Sequence, residues 1–253
     1  MMEEALTPLE MRCLQGLTTT DEFDCGDRPT VADSWDRVTD WPERQVRAQV
    51  LVQALLARSH SPDPAVTARF TLIGACVINP LELGMMELRA FVTLSTCKCE
   101  DWIDLSGSGI LGLSLDGTRA VGLRAAGSTV QGSLNISRSQ VGLLDLRDAH
   151  VRGVVSASHS VLGTKDQAVR ADRMSAGALV CTSATFDSEV RLVGAEVSGP
   201  LAFDECRLSA ATGAAMTAED CRVGGGFFLR LTATPRCEVN LAYAKVAGPL
   251  RAR

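Results

Sequence analysis

One glycine-rich string in this sequence has the spacing of a dinucleotide-binding loop. Residues 107–112 read Gly-Ser-Gly-Ile-Leu-Gly, which matches G-x-G-x-x-G, and they follow the strand-like residues 102–105. In a nucleotide-binding fold such a loop opens a helix, and an acidic residue about 20 positions later binds the ribose. Here strand and turn residues follow instead, and the window 124–134 contains no acid. We therefore predict a glycine-rich corner rather than a cofactor site.

Nine cysteines are the residues best suited to metal binding or redox chemistry. Alternation places the thiols of Cys97 and Cys99 on one face of a strand, and Cys76 lies 21 residues before Cys97, so these thiols can stack. A zinc site needs further ligands that converge in space, and alternation points His150 outward. Cysteine is also a small apolar residue of tight interiors. We expect inward packing, with a metal site or a reactive thiol as the alternatives.

The redox state of these thiols depends on where the protein resides. The chain opens on Met1–Glu4, which is acidic and has no apolar stretch behind it, so the sequence predicts no secretion signal. No stretch reaches the roughly 18 to 20 apolar residues of a membrane span either. We expect a cytoplasmic protein with reduced thiols, in which Cys13 and Cys25, outside the repeats, are the exposed cysteines.

The sequence predicts no catalytic group. Its three histidines are scattered, and no Ser/His/Asp or Cys/His grouping follows from the spacing. One predicted outward ladder contains Asp104, Arg124 and Asp145. Polysaccharide-cleaving β-helices use clustered acids, whereas a ladder of mixed charge is typical of a solvated surface. We assign no catalytic, cofactor-binding or metal-binding residue and expect a protein that is not an enzyme.

The elements that would position any such site are very short strands. From about Leu113 to Val155, two small or apolar residues separated by one outward residue recur every five or six positions. Each such pair is a strand with two inward side chains, and Gly, Ser or a charged residue fills the turns. Four strands close a coil of about 20 to 22 residues. The pairs are Leu113/Leu115, Thr118/Ala120, Leu123/Ala125, Ser128/Val130, Leu134/Ile136, Ser139/Val141, Leu144/Leu146 and Ala149/Val151.

This repeat begins near Phe70 and predicts an all-β solenoid over residues 69–253. About 180 residues at about 21 per coil give a parallel, four-sided β-helix of about eight or nine coils. The aromatic content of 4% suits the narrow interior of such a coil. Three insertions interrupt the repeat and are predicted to bulge outward as loops that make specific contacts. They are Gly163–Gln167, Ser209–Ala215 and Thr232–Pro235.

Residues 1–68 are predicted to form an acidic segment and a capping helix. Residues 1–44 hold eleven acids against four arginines, which leaves the rest of the chain near +2 out of a total of −5. Residues 3–17 are compatible with a short helix. Asp40 or Trp41 as a cap, with Pro42 after it, predicts a helix over about 42–59. We expect its apolar face to cover the first coil, because an open edge of strands recruits other chains.

The five-residue spacing, with a small residue two places before a larger one as in Ser128/Val130 and Ala195/Val197, resembles pentapeptide-repeat proteins. That resemblance implies a right-handed, quadrilateral β-helix. In addition, WPERQVRAQVLVQALL, FTLIGACVINPLEL and RLVGAEVSGPLAF resemble a group of actinobacterial proteins labelled membrane-associated oxidoreductases. This second resemblance covers residues from about 41 to the end and contributes no catalytic residue.

The expected function is a non-enzymatic β-helical scaffold or protein-interaction module. One alternative is a redox protein, as the oxidoreductase label implies. The other is a DNA mimic that binds type II topoisomerases, as some pentapeptide-repeat proteins do. Mimicry requires a continuous negative surface, whereas these repeats are near +2 with interleaved arginines. Nucleic acid is not an expected partner, because no basic stripe with interleaved aromatics is present.

The last repeats predict a docking surface. Leu241, Ala244, Val246 and Leu250 continue the pattern almost to Arg253, with no capping helix after them. A bare coil presents unpaired backbone groups and apolar side chains. We predict a homodimer through this C-terminal coil, with a truncated or partner-capped solenoid as the alternative.

Overall fold

Short strands stacked in parallel make up most of this protein. The structure is a computed structural model that describes residues 5–26, 42–59, 68–164, 169–209, 213–232 and 238–252. In these ranges the strands form about eight turns of β-solenoid, accompanied by two helices. The fold class predicted from the repeats is confirmed.

The helices and strands have the following bounds. Helix α1 is Pro8–Thr19, helix α2 is Ala48–Ser59, and a 3-10 turn lies at Pro42–Arg44. The strands are β1 (Glu22–Asp24), β2 (Gln45–Arg47), β3 (Ala68–Ile73), β4 (Cys76–Ile78), β5 (Leu81–Glu82), β6 (Glu87–Ser95), β7 (Lys98–Asp104), β8 (Gly109–Asp116), β9 (Arg119–Arg124), β10 (Thr129–Val130), β11 (Leu134–Asn135), β12 (Gln140–Asp145), β13 (His150–Ser156), β14 (Val161–Leu162), β15 (Val169–Arg170), β16 (Ser175–Thr182), β17 (Thr185–Phe186), β18 (Val190–Arg191), β19 (Glu196–Val197), β20 (Leu201–Leu208), β21 (Ala214–Thr217), β22 (Arg222–Val223), β23 (Phe227–Leu231), β24 (Glu238–Asn240), β25 (Lys245–Val246) and β26 (Leu250–Ala252). Both helices are 12 residues long, and no helix of the described ranges has the length and hydropathy of a membrane span.

Each coil has four faces, because the strands pair in four parallel ladders. We number the faces in chain order within a coil. In one coil, Ile110 lies on face 1, Leu113 on face 2, Ala120 on face 3 and Leu123 on face 4. The next coil places Val130, Leu134, Val141 and Leu144 in register with them. These side chains point inward and are buried, which gives the four-sided interior that the repeat predicts.

Two corners of each coil turn through a left-handed residue. One column lies between faces 4 and 1, and the other lies between faces 2 and 3. Both columns have φ angles between 51° and 66°. This conformation reverses the direction of the chain within one residue, which a strand-to-strand corner requires. The first column is Met85, Gly107, Gly127, Asp148, Arg173, Gly194, Asp220 and Tyr243; the second is Gly74, Thr96, Gly117, Arg138, His159, Ser183 and Glu205.

Buried hydroxyl groups join successive coils at the corner between faces 2 and 3. Thr118 Oγ1 donates to Leu94 O at 2.8 Å and accepts from Cys97 N at 3.3 Å. Ser139 Oγ accepts from Thr118 N at 3.1 Å, and Ser160 Oγ accepts from Ser139 N at 3.2 Å. These hydroxyls are therefore fully hydrogen-bonded inside an otherwise apolar core.

Glycines fill the corner between faces 1 and 2. A Cβ at Gly177 would lie 2.5 Å from Arg152 O and 2.7 Å from Gly153 O. Backbone groups of adjacent coils thus approach too closely here for any side chain. The column contains Gly132, Gly153, Gly177, Gly199, Gly225 and Gly248.

The two helices cover the first coils. Helix α2 buries Val50, Leu51 and Leu55 and packs on α1 and on strands β2, β3, β5 and β6. The short helix compatible with residues 3–17 is present as α1, whose Thr7 and Glu10 form a capping box.

The start of the second helix differs from the prediction. The expectation of a helix from about residue 42 is wrong by six residues, because 45–47 form β2, which pairs with β4 and buries Val46. Strand β1 also pairs with β3, so solenoid pairing begins before Phe70. The predicted cap residues Asp40 and Trp41 lie outside the described residues.

Candidate interaction surface

The coil formed by residues 238–252 is open on one side. Strands β24, β25 and β26 pair with β21, β22 and β23 on one edge, and no strand of the described ranges pairs with their other edge. Leu250 is 57% exposed, whereas Phe227, in register with it one coil earlier, is 1% exposed. We call this side the open coil face.

The inward side chains of this coil make an apolar surface. In earlier coils the corresponding positions are buried between two neighbouring coils, but here the described residues supply a neighbour on one side only. The same edge presents backbone N–H and C=O groups, which bind an added strand. The open coil face can therefore bind protein through hydrogen bonds and apolar burial together. Its inward residues are Val239, Leu241, Ala244, Val246 and Leu250.

Charged residues border the open coil face. Glu238, Lys245 and Arg251 are exposed, and within the described part of the chain none of the three has an ion-pair partner. Earlier coils are joined by such pairs, for example Glu196 with Arg222, which are 2.5 Å apart. The charges at this border are thus available to a partner.

A recess lies at the bend between faces 3 and 4. It has a volume of about 640 Å³. The register stacks Lys98, Arg119 and Gln140 in one column along its side. Lys98 Nζ lies 2.8 Å from Glu100 Oε1, so the positive charge at this end is neutralised. Among the described residues that line the recess, no nucleophile lies beside a general base.

The glycine-rich string 107–112 forms a corner and part of a strand. Gly107 has φ = 66° at the corner between faces 4 and 1, and β8 begins at Gly109. A Cβ at Gly109 would collide with the carboxylate of Glu87 in the preceding coil. The glycines thus serve the packing of coils, and no helix N-terminus stands there to bind a phosphate.

The eight described cysteines are free, and most are buried. Cys97 and Cys99 point inward into the core, as expected. The expectation is wrong for Cys76, which is buried in the outward column of face 3, in register with Gln45 and Lys98. The expectation that Cys13 is exposed is wrong, because it lies on the buried side of α1; Cys25 is half-buried. Cys13 lies outside the repeats, but α1 packs on the first coils and hides it.

Burial makes these thiols poor nucleophiles. It raises the pKa of Cys13 and of Cys97 to about 12, and that of Cys76 to about 11. A thiol with such a pKa is protonated at neutral pH and reacts slowly. Among the described residues, no three His, Cys, Asp or Glu side chains are grouped so as to hold a metal ion.

The predicted mixed ladder is present on face 4. Asp104, Arg124 and Asp145 lie in register, one per coil. Arg124 stacks on Trp102 at 4.0 Å, and Asp145 forms an ion pair with Arg147 at 2.7 Å. The guanidinium of Arg147 helps to hold the pKa of Asp145 below its usual value despite burial. Asp104 Oδ1 accepts from Ser106 N at 2.8 Å, and Arg124 lies between the two carboxylates in the ladder, so they do not form an acid–base pair.

His150 points outward, as expected. Its Nδ1 lies 2.5 Å from Ser175 Oγ on face 1. The next residue in that column is Glu196, which pairs with Arg222 and lies beyond Ser175 rather than beside the imidazole. A catalytic triad needs the acid on the histidine, so this arrangement is a surface hydrogen bond.

Most of the predicted contact loops lie outside the described residues. Gly163 and Thr164 line the recess, but residues 165–168, 210–212 and 233–237 are not described. The charged border of the open coil face was missed by sequence reasoning. The spacing of about 21 to 26 residues between equivalent positions is the signal that assigns Glu238 and Lys245 to the last coil.

Comparisons with protein-family models, with curated proteins and with solved structures found no match to this chain. The stacked parallel coils agree with a repeat β-helix, and no relative supports the pentapeptide-repeat or the actinobacterial resemblance.

Proposed function

We propose that this protein is a non-enzymatic scaffold of the cytoplasm that binds proteins and forms a homodimer through its open coil face. The observation that carries the proposal is the contrast between Leu250, largely exposed, and Phe227, buried one coil earlier. An apolar surface with a free strand edge is unfavourable in water and is stabilised when another chain covers it.

A second copy is the occupant that fits this surface by symmetry. The edges of β24, β25 and β26 present the same alternation of donors and acceptors in every copy. A two-fold axis sets two such edges antiparallel and opposite each other, so each can satisfy the other. The arrangement closes after two copies, and the faces of the rod stay free to bind other proteins.

No observation supports either alternative function, the redox protein or the DNA mimic. The redox alternative would rest on thiols that are buried and protonated. The DNA-mimic alternative would need a continuous negative surface, whereas arginines and acids alternate along face 4.

The experiment is native mass spectrometry, with light scattering across a range of concentrations. We expect a species of twice the subunit mass of 26.9 kDa. Leu250→Arg buries a charge in the interface and should weaken dimerisation at least roughly thirtyfold, as the loss of a central interface residue does. The matched control is Val154→Arg, which changes an exposed residue of face 2 in the middle of the rod.

Four outcomes of this experiment distinguish the proposal from its alternatives. A wild-type dimer that Leu250→Arg dissociates and Val154→Arg does not supports the proposal. A wild-type monomer at all concentrations, or a dimer that Leu250→Arg leaves intact, contradicts it. A bound flavin or nicotinamide in the native mass would favour the redox alternative instead.

A further inference from the structure

We infer that Cys13 and Cys25 are a redox-sensitive pair, which hydrogen peroxide joins as a disulfide between helix α1 and the residue that follows strand β1. The inference is independent of the homodimer proposed above. The peroxide comes from outside the protein, and the disulfide changes only the protein's own helical cap, which it ties to the first strand of the solenoid. In a reducing compartment the two thiols stay free until an oxidant reaches them.

Helix α1 and strand β1 lie against each other on the sides that bear the two thiols. A Cβ at Gly16 would lie 3.0 Å from Phe23 Cδ2 and 3.5 Å from Glu22 O. Cys13 is one helical turn before Gly16, on the same side of α1. Cys25 is two residues after Phe23, and both side chains pack on the core, so they share one side of the extended chain. Because the chain reverses between α1 and β1, these two steps lead from one contact to the next and bring Cys13 opposite Cys25.

The electrostatics of the thiols agree with this placement. Burial, and after it the charge of the neighbouring Cys25, raises the pKa of Cys13 to about 12. Both main chains are also held in place. Cys25 N donates to Ile73 O at 3.0 Å, and Glu10, one turn before Cys13, binds Arg47 of β2. The two thiols therefore meet from two fixed elements, as a disulfide requires.

Cys97, a third thiol of this region, is not the partner of Cys25. The register runs from Asp24 through Ile73 to Ser95, so Cys25 and Cys97 lie two coils apart. Two coils span about 10 Å, whereas a disulfide needs Cα atoms roughly 4.4 to 6.8 Å apart. Cys97 Sγ instead donates to Ser95 O at 3.3 Å inside the core.

Cys25 is the thiol that meets the oxidant, because it is half-buried whereas Cys13 is fully buried. Its thiolate attacks one oxygen of hydrogen peroxide, so that an S–O bond forms, the O–O bond breaks and hydroxide leaves. Cys13 then attacks the sulfur of Cys25, the S–S bond forms, the S–O bond breaks and a second hydroxide leaves. Each hydroxide takes up one thiol proton, so two thiols are oxidised and one peroxide is reduced to two waters.

The reaction should be slow at neutral pH. Burial raises the pKa of Cys25 to about 11, and the charges of Arg44 and Arg12 oppose this rise only in part. The attacking species is the thiolate, so the rate of disulfide formation should increase about tenfold for each pH unit between 7 and 10. The pair thus responds to sustained oxidation rather than to brief exposure.

The first test is mass spectrometry of the folded full chain after treatment with hydrogen peroxide. Trypsin cleaves after Arg12 and leaves both cysteines in one peptide. We expect this peptide to be lighter by two hydrogen atoms and to take up no iodoacetamide after unfolding. Cys13→Ala should form no such bond, whereas the matched control Cys221→Ala, which removes a buried thiol of a distant coil, should leave it unchanged. A bond from Cys25 to any other cysteine, or Cys13 that still takes up iodoacetamide, overturns the pairing.

The second test measures the effect of the bond on the helical cap by hydrogen exchange. A disulfide that ties α1 to β1 should slow the exchange of the α1 amides at least about tenfold, because the helix can no longer separate from the strand. The amides of β12, in the middle of the rod, should not change, and dithiothreitol should restore the original rates. Equal exchange of α1 in the oxidised and reduced protein would mean that the bond does not hold the cap.

Discussion

At the scale of single residues, Glu10 links helix α1 to strand β2 of the solenoid. Its Oε1 accepts from Arg47 N at 3.0 Å and from Arg47 Nε at 2.7 Å, and its Oε2 accepts from Arg47 Nη2 at 2.7 Å. Thr7 N also donates to Oε2 at 2.9 Å. One buried carboxylate thus joins the start of α1 to β2. Each of its two oxygens accepts two hydrogen bonds.

Acid should weaken the link between Glu10 and Arg47. Hydrogen bonds from Arg47 lower the pKa of Glu10 from 4.5 to about 2. A lowered pKa contributes stability that is fully present above 4.5 and is lost as the pH falls towards 2, here about 3 kcal/mol. We expect Glu10→Gln to lose about that much at pH 7 in urea unfolding and to show a flatter dependence on pH between 4.5 and 2.

The control is Glu100→Gln, which removes an exposed partner of Lys98 and should cost less than about 1 kcal/mol. If Glu10→Gln were as stable as wild type at pH 7, the carboxylate would have no part in holding the cap.

At the scale of elements, the glycine column sets how closely the coils stack at the corner between faces 1 and 2. Gly177→Ala should destabilise the protein by about 2 to 3 kcal/mol, because its Cβ meets two backbone oxygens that cannot move aside cheaply. The measurement is the free energy of unfolding in urea.

Gly127→Ala separates crowding from backbone strain. Gly127 has φ = 65° and open space around its Cβ position, so alanine there should cost only the left-handed strain of about 1 kcal/mol. Equal losses at Gly177 and Gly127 would show that close approach between coils contributes nothing.

The strands could be predicted from sequence because their signal is local. An inward residue at every second position, with a turn residue in the gap, suffices to place Val130, Leu134 and Val141 in successive strands. Strand β2 could not be predicted. Its Gln45-Val46-Arg47 is too short to be told from a helical stretch, and it is a strand because β4 supplies a partner 31 residues later.

The corners are harder to predict from the sequence than the strands. Glycine, aspartate and arginine all occupy the left-handed column between faces 4 and 1, so residue type alone does not reveal the conformation. Tyr243 also lies in this φ region, although a bulky side chain disfavours it, because its coil is stacked in register on the preceding one. The open coil was foreseen from the repeat, whereas the residue at its corner was not.

At the scale of the whole molecule, the two ends of the solenoid differ. Helices α1 and α2 cover the first coils, while the coil of residues 238–252 is covered on one side. In this last coil Lys245 N and Ala247 N donate to the preceding coil, at 2.8 Å and 2.9 Å. By the alternation of a parallel strand, Val246 N points to the open side.

Hydrogen exchange should therefore depend on concentration at one end only. At concentrations where the monomer dominates, we expect the Val246 amide to exchange at least about 100 times faster than the Val223 amide, which lies between two coils. Raising the concentration should slow Val246 and leave Val223 unchanged. Exchange of Val246 that is slow at every concentration would mean that the open edge is covered within one chain.

The covered first coils also bear on how the chain is made. Every later coil needs only the coil before it as a template, and that coil has already left the ribosome when the next one emerges. A solenoid closed at its leading end can thus fold in the order of synthesis, one coil at a time, without waiting for distant sequence. During translation, each newly added coil therefore presents an unpaired strand edge until the next coil covers it.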